Sequence, residues 1–235
     1  MVSIHHKCSL HTSFLHPFIV TWLHCMTTFL LKNVTILFVT SAVISKSHYW
    51  THMPPISILV ACTPNGGIGI RGTMPWYLPP DLMNFQKMTS TTTTPGMQNA
   101  VIMGRKTWDS LPKKPLNGRR NVVVTRAPDM RQVESYPSLD TAIHILSRPD
   151  SKVETIFIIG GGELYQTAIR HPLCSKVYLT MLVNDIECDT YFPLNEMDNY
   201  FELASLSEVH QYKNIEYVYM EYHKKPCNTC QCIQV

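Results

Sequence analysis

Apolar residues recur along this chain in short strings whose period changes. Residues 56–62 read ISILVAC, dense in β-branched types, and predict a buried strand. Pro64-Asn65-Gly66-Gly67 ends it, and Gly69 and Gly72 keep the next loop open. The period then lengthens. Leu82, Phe85 and Met88 fall on one helical face behind a proline start, with Asp81 in the first turn, which predicts a helix over 79–88. Residues 89–96 are a polar loop. Residues 99–103 predict a strand that Gly104 turns into a short helix ending near Ser110. Further strands are predicted over 120–125, 154–159 and 176–183. Helices are predicted from Ser138, with Asp140 near its start, to Ser147, and from Gly160-Gly161-Gly162 to Arg170. Residues 201–209 and 215–223 predict a closing antiparallel pair around Lys213-Asn214.

Strand and helix alternate, and strands finish the chain. That order predicts an α/β fold: a mostly parallel central sheet, helices on both faces, and an antiparallel C-terminal strand. Ligands of such sheets bind at the carboxyl ends of the strands. No internal repeat is visible.

Composition divides the chain. Residues 1–52 carry Lys7, Lys32 and Lys46, seven of the eleven histidines and no acid; the first acid is Asp81. From Met53 onward basic and acidic residues balance. The net charge of +3 is too small to indicate nucleic-acid binding. Cys8, Cys25, Cys62, Cys174, Cys188, Cys227, Cys230 and Cys232 are scattered, which points to reduced thiols rather than a disulfide framework. The leader's uncharged run over 34–44 is too short to span a bilayer as a helix. It is acid-poor like a transit peptide, yet the first Arg is Arg71. Three readings stay open for it: a dispensable leader before a start at Met53, a targeting or membrane-associating segment, or part of the domain. The expected organisation is a leader over 1–52 outside the folded domain, a domain over 53–225 and a flexible tail over 226–235. The expected location is cytoplasmic, or mitochondrial if the leader is a targeting segment.

The candidate chemistry lies at strand ends. Gly160-Gly161-Gly162 stands between a strand and a helix, where glycine lets backbone approach a ligand and helix amides face it. Gly104-Arg105-Lys106-Thr107 repeats the arrangement with two cations and a hydroxyl, and Thr125-Arg126 follows a third strand. Three such ends suit a dinucleotide with several phosphates, although GxGxxG is missing after the first strand. Asp81 stands alone among apolar residues behind Met74-Pro75-Trp76. A carboxylate so placed has a raised pKa and suits proton chemistry on a ring; it also fits an ordinary acid at a helix start. The three C-terminal cysteines offer no fourth ligand, so no metal site is expected there.

Five segments in order resemble the dihydrofolate reductase family, across roughly residues 55–223. They are Ile68-Gly69 with Met74-Pro75-Trp76, Leu78-Pro79, Asp81 and Phe85; the string from Val101 to Trp108 with Ser110-Leu111-Pro112; Pro115-Leu116-Asn117-Gly118-Arg119; Ile159 to Tyr165; and Asp189-Thr190-Tyr191-Phe192-Pro193. The resemblance implies NADPH-dependent reduction of 7,8-dihydrofolate by a monomer, with antifolates as further ligands and no nucleic-acid or stable membrane partner. It implies that Asp81 holds the pterin, helped by Thr190, with Met74 and Trp76 in the catalytic set. Ala61, Phe85, Leu116 and Ile159 would wall the substrate, and Arg119 would take the glutamate carboxylate. Ala61, Ile68, Gly69, Gly104, Arg105, Lys106, Thr107, Thr125, Arg126 and Ile159 would meet the cofactor. So would Gly160, Gly161, Gly162, Glu163, Leu164 and Tyr165, with a cis Gly160–Gly161 bond. Residues 66–74 would form a mobile loop over the nicotinamide. Pro137 stands where some relatives place another cation. The pyrimidine reductase of riboflavin synthesis and a non-catalytic folate- or nucleotide-binding protein are the alternatives. Asp81 with Phe85, Leu116 and Arg119 favours folate over the former, and no disabling substitution is visible for the latter.

The leader reading is open to direct measurement. Residues 53–235, expressed alone, are expected to be soluble with the turnover of the full chain. An unfolded short form beside an active full chain would place the leader inside the domain.

Overall fold

The computed structural model describes residues 53–127, 130 and 132–226. The leader over 1–52 and the cysteines of the tail lie outside them. At the centre run five parallel strands: β1 (Ile56–Cys62), β3 (Gln98–Gly104), β4 (Arg119–Val124), β6 (Val153–Ile158) and β7 (Cys174–Leu182). Short β5 (Glu134–Tyr136) extends this parallel array beyond β4. On the opposite side β11 (Ile215–Lys224) joins β7 antiparallel and carries β9 (Phe201–Leu206) and β10 (His210–Tyr212). The spatial order is β10, β11, β7, β1, β6, β3, β4, β5, with β9 also on β11. A separate ladder pairs β2 (Gly67–Gly69) with β8 (Thr190–Tyr191).

The period-2 alternation of the strands separates two cores. Ile56, Ile58 and Val60 of β1, Ala100 and Ile102 of β3, and Ile156 and Ile158 of β6 face one core. On this face lie α3 (Leu139–Leu146), α4 (Gly162–Arg170) and α5 (Leu194–Tyr200), with Ile143, Ile169 and Met197 buried. Leu59, Val101, Met103, Val123, Phe157 and Ile159 face the other, where α1 (Pro79–Ser90) contributes Phe85 and Met88, and α2 (Arg105–Ser110) contributes Trp108. Full burial of such an aliphatic side chain stabilises by about 1.5–3 kcal/mol, so the two-sided sheet is the main source of stability. Ser138 caps α3 by accepting from the Thr141 amide, as Ser ahead of an apolar helix predicts.

The expected sheet, with helices on both faces, is the sheet observed. The closing hairpin differs in detail. Lys213, at φ 54°, turns β10 into β11, while β9 pairs further along, with Leu206 opposite Met220. Among the described residues no helix is long and apolar enough to cross a membrane. Cys62, Cys174 and Cys188 carry free thiols, and burial pushes Cys62 and Cys174 up to about 12.

Candidate active site

Helix α1 sets the scale of the site. Two prolines open it, and Asp81, Phe85 and Thr89 recur every four residues along one face. The eight residue steps from Asp81 to Thr89 span about 12 Å of axis. At the first end, Thr180 Oγ1 donates to Asp81 Oδ1 at 2.7 Å. Thr180 lies opposite Ala61 in the parallel pairing of β7 with β1, so the two side chains share a face. Burial pushes the Asp81 carboxyl above its ordinary value, and the Thr180 hydrogen bond, which favours the ionised form, opposes that shift.

Thr180, not Thr190, is therefore the hydroxyl on Asp81. Thr190 is exposed in β8, donates to Asp189 Oδ1 at 2.8 Å, and its methyl approaches Gly162 at the start of α4. The expectation that Thr190 assists Asp81 is corrected accordingly. Sequence carried a usable signal: Thr180 interrupts the apolar string of β7 on the face opposite Val177 and Leu179.

At the far end of α1, Arg119 is buried at 9% exposure. Its Nη1 donates to Thr89 Oγ1 at 2.8 Å, and its Nε donates to the Asn117 carbonyl at 3.0 Å. The guanidinium lies 5.8 Å from the Phe85 ring centroid. No carboxylate among the described residues forms a salt bridge with it. Burial pulls its pKa down from the usual arginine value, and its partners are neutral oxygens and a ring rather than a countercharge. Leu116 precedes it in a loop held by Asn121. Asn121 Oδ1 accepts from the Leu116 amide at 2.8 Å, and Nδ2 donates to the Leu116 and Arg119 carbonyls at 2.9 and 2.7 Å. Leu116 and Ile159 join the same cluster as Phe85.

The glycine turns meet on the same side of the sheet ends. The Gly104 amide donates to the Gly160 carbonyl at 2.6 Å, and the Gly160–Gly161 bond is cis. A side chain at Gly104 would stand 3.6 Å from the Gly161 amide nitrogen, and one at Gly161 would stand 3.4 Å from Thr107 Oγ1. Gly104, Thr107, Gly160 and Gly161 are thus one backbone-lined patch. Gly160, at φ 120°, lies against Tyr165, whose hydroxyl donates to the Leu59 carbonyl at 2.8 Å. Leu164 is buried and Glu163 exposed on α4. Lys106 and Arg126 are exposed cations, Arg105 pairs with Asp109 at 3.3 Å, and Thr125 donates its amide to the Tyr136 carbonyl.

The loop over 66–74 contains a tight hairpin. Ile70 and Thr73 exchange backbone hydrogen bonds across Arg71 (φ 50°) and Gly72 (φ 77°), the signature of a type I′ turn. Asp189 anchors it: Oδ2 accepts from the Arg71 amide at 2.7 Å, and its own amide donates to the Gly69 carbonyl at 2.9 Å. Ile68 packs against the core beside this ladder. Met74 is 43% exposed at the hairpin's end. Trp76 is buried beside Leu182 and Tyr217, and its Nε1 meets no partner.

The fold is that of an α/β protein, a class whose ligands lie at the carboxyl ends of parallel strands. Residues 55–224 match the family described as Dihydrofolate reductase. The chain is 39% identical over 186 residues to the dihydrofolate reductase of Mus musculus, covering 73% of this chain and 98% of that protein. It is 37% identical over 183 residues to that of Rattus norvegicus, again covering 73% and 98%. Against the bifunctional dihydrofolate reductase-thymidylate synthase of Glycine max it is 40% identical over 169 residues, 65% of this chain but only 32% of that protein. The chain belongs to the dihydrofolate reductase family, and with it to the oxidoreductases that use a nicotinamide cofactor.

The raised Asp81 pKa predicts a trade between charge and stability. A carboxyl shifted upward on folding contributes stability that is complete below its unfolded pKa and is lost as pH rises through the folded value. Above its unfolded value the carboxyl therefore costs the fold stability. Asp81→Asn is expected to raise the thermal midpoint at pH 7, by about 2–4 °C per kcal/mol recovered, with the gain shrinking toward pH 4. A lower midpoint at pH 7 would show the carboxylate to be stabilising.

Proposed function

We propose that this chain reduces 7,8-dihydrofolate to 5,6,7,8-tetrahydrofolate with NADPH. One observation carries the reading: a half-buried acid and a buried cation without a countercharge stand at opposite ends of one face of α1, about 12 Å apart along the axis. A folate has that shape in charge: an amidine-like pterin ring, an apolar aminobenzoyl bridge and a terminal carboxylate. Asp81 accepts from the pterin's ring nitrogen and amino group. Phe85, Leu116, Ile159 and Ala61 supply the apolar walls. Arg119 pairs bidentately with the α-carboxylate, a geometry that its planar fork provides and Lys does not. A riboflavin-pathway pyrimidine has no aminobenzoyl bridge to lie along Phe85, which favours folate.

The patch of Gly104, Thr107, Gly160 and Gly161 fits a dinucleotide, because side chains there would fill the backbone approach. Arg105, Lys106, Thr107, Thr125 and Arg126 supply cations and hydroxyls for its phosphates, and Gly162, Glu163, Leu164 and Tyr165 continue along it. The bound nicotinamide supplies the hydride. Asp81, at the far edge of the pterin, favours protonation through water rather than by direct contact with the reacting nitrogen. The Asp189-anchored hairpin, with Ile68, Gly69 and Met74, covers the nicotinamide side and excludes bulk water. Trp76 closes the wall beside Asp81. The unit that works is the domain over 53–225.

Loss of NADPH absorbance on adding dihydrofolate tests the reading; no turnover with purified full chain would sink it. Asp81→Asn is expected to lower turnover at pH 7 by about a hundredfold or more. Arg126→Ala is expected to weaken NADPH about tenfold or more, since a charge-assisted hydrogen bond is worth about 1.5–3 kcal/mol, while NADH changes little. Equal weakening of both would remove Arg126 from the 2′-phosphate.

A further inference from the structure

We infer that Asn121 is a positioning residue for substrate selection, one that holds the Leu116–Arg119 loop in the shape that accepts the aminobenzoyl-glutamate half. The inference rests on the folate reading above. Asn121 projects from β4 to the α1 face, in step with Arg119 and Val123, and is buried at 8% exposure. Its carboxamide meets Leu116 in both directions, accepting from the amide and donating to the carbonyl, as a paired strand would. Its second Nδ2 hydrogen reaches the Arg119 carbonyl. One side chain thereby fixes both ends of a loop whose Leu116 walls the bridge and whose Arg119 takes the carboxylate.

Only at Arg119 does this loop enter a strand; residues 112–118 lie in none. It holds Gly118 at φ 73°, and its residues between 112 and 118 are otherwise exposed or half-buried. The Asn121 carboxamide is the side chain that ties Leu116 to β4. The Arg119 side chain has its own, separate brace: Thr89 Oγ1 spends its proton on the Phe85 carbonyl at 2.7 Å, which leaves its lone pairs to accept from Nη1. Asn121 therefore acts on the whole distal half of the site, and Thr89 acts on the guanidinium alone.

Three substrates of graded length separate these roles: dihydrofolate, dihydropteroate (bridge without glutamate) and 6-methyl-7,8-dihydropterin (neither). Asn121→Asp keeps the shape but offers two acceptors to two carbonyls, and Asn121→Ser shortens the reach. Both are expected to raise KM about tenfold for dihydrofolate and dihydropteroate, with kcat changed less than about twofold and the methylpterin unaffected; tenfold corresponds to about 1.4 kcal/mol. Thr89→Val is expected to raise KM for dihydrofolate alone, and Thr89→Ser to restore it. Wild-type KM values in both Asn121 variants would overturn the inference. So would equal losses on all three substrates, or loss of folding in both, since either makes Asn121 a general fold residue. A wild-type chain inactive on dihydrofolate would instead sink the folate reading itself.

Discussion

A sheet covered on both faces has no water to solvate a polar side chain, so each polar residue on its strands needs a reason and a partner. Most strand positions here obey with Val, Ile or Leu. Ser57, Asn99, Arg119, Asn121 and Thr180 do not, and all five are buried. By strand alternation they project to one face, the face that receives α1. The opposite face, under α3 and α4, is aliphatic. Segregation of buried polarity to one side of the sheet leaves the opposite face free to pack on apolar contacts alone.

Helix α1 turns that polarity into a ruler. Its own contribution is three side chains at spacing four, each matched to a sheet group: Asp81 to Thr180, Phe85 to the Arg119 guanidinium, Thr89 to Arg119 Nη1. The charges at the two ends are both held against their preference for water. Electrostatic work of this kind is recovered only when a ligand of complementary charge arrives, which is how preorganised sites gain discrimination.

Much of this was legible in sequence. The long strands and α1, α3 and α4 declared themselves through periodicity, turn residues and caps, because their burial is repeated over several residues. The elements that sequence left unread are short: β2, β5, β8, β10 and α5 span two to seven residues each. Gly67–Gly69 and Thr190–Tyr191 form strands only because they meet each other. Such pairing is tertiary and leaves no local period. The site follows the same division. Asp81, Phe85 and Arg119 stood out as exceptions in charge or motif. The choice between Thr180 and Thr190 needed the register of β7 against β1, which no motif contains.

The hydrogen bond from the Gly104 amide to the Gly160 carbonyl has a mechanical consequence. It rivets the first turns after β3 and β6 into a single plate, with no side chain between them to act as a hinge. The hairpin over Ile70 and Thr73, by contrast, is fastened to the rest of the protein through Asp189 and the two-pair ladder of β2 with β8. The two walls of the proposed site thus differ in how they are fastened: one by backbone alone, the other through the Asp189 side chain, which a single substitution can remove.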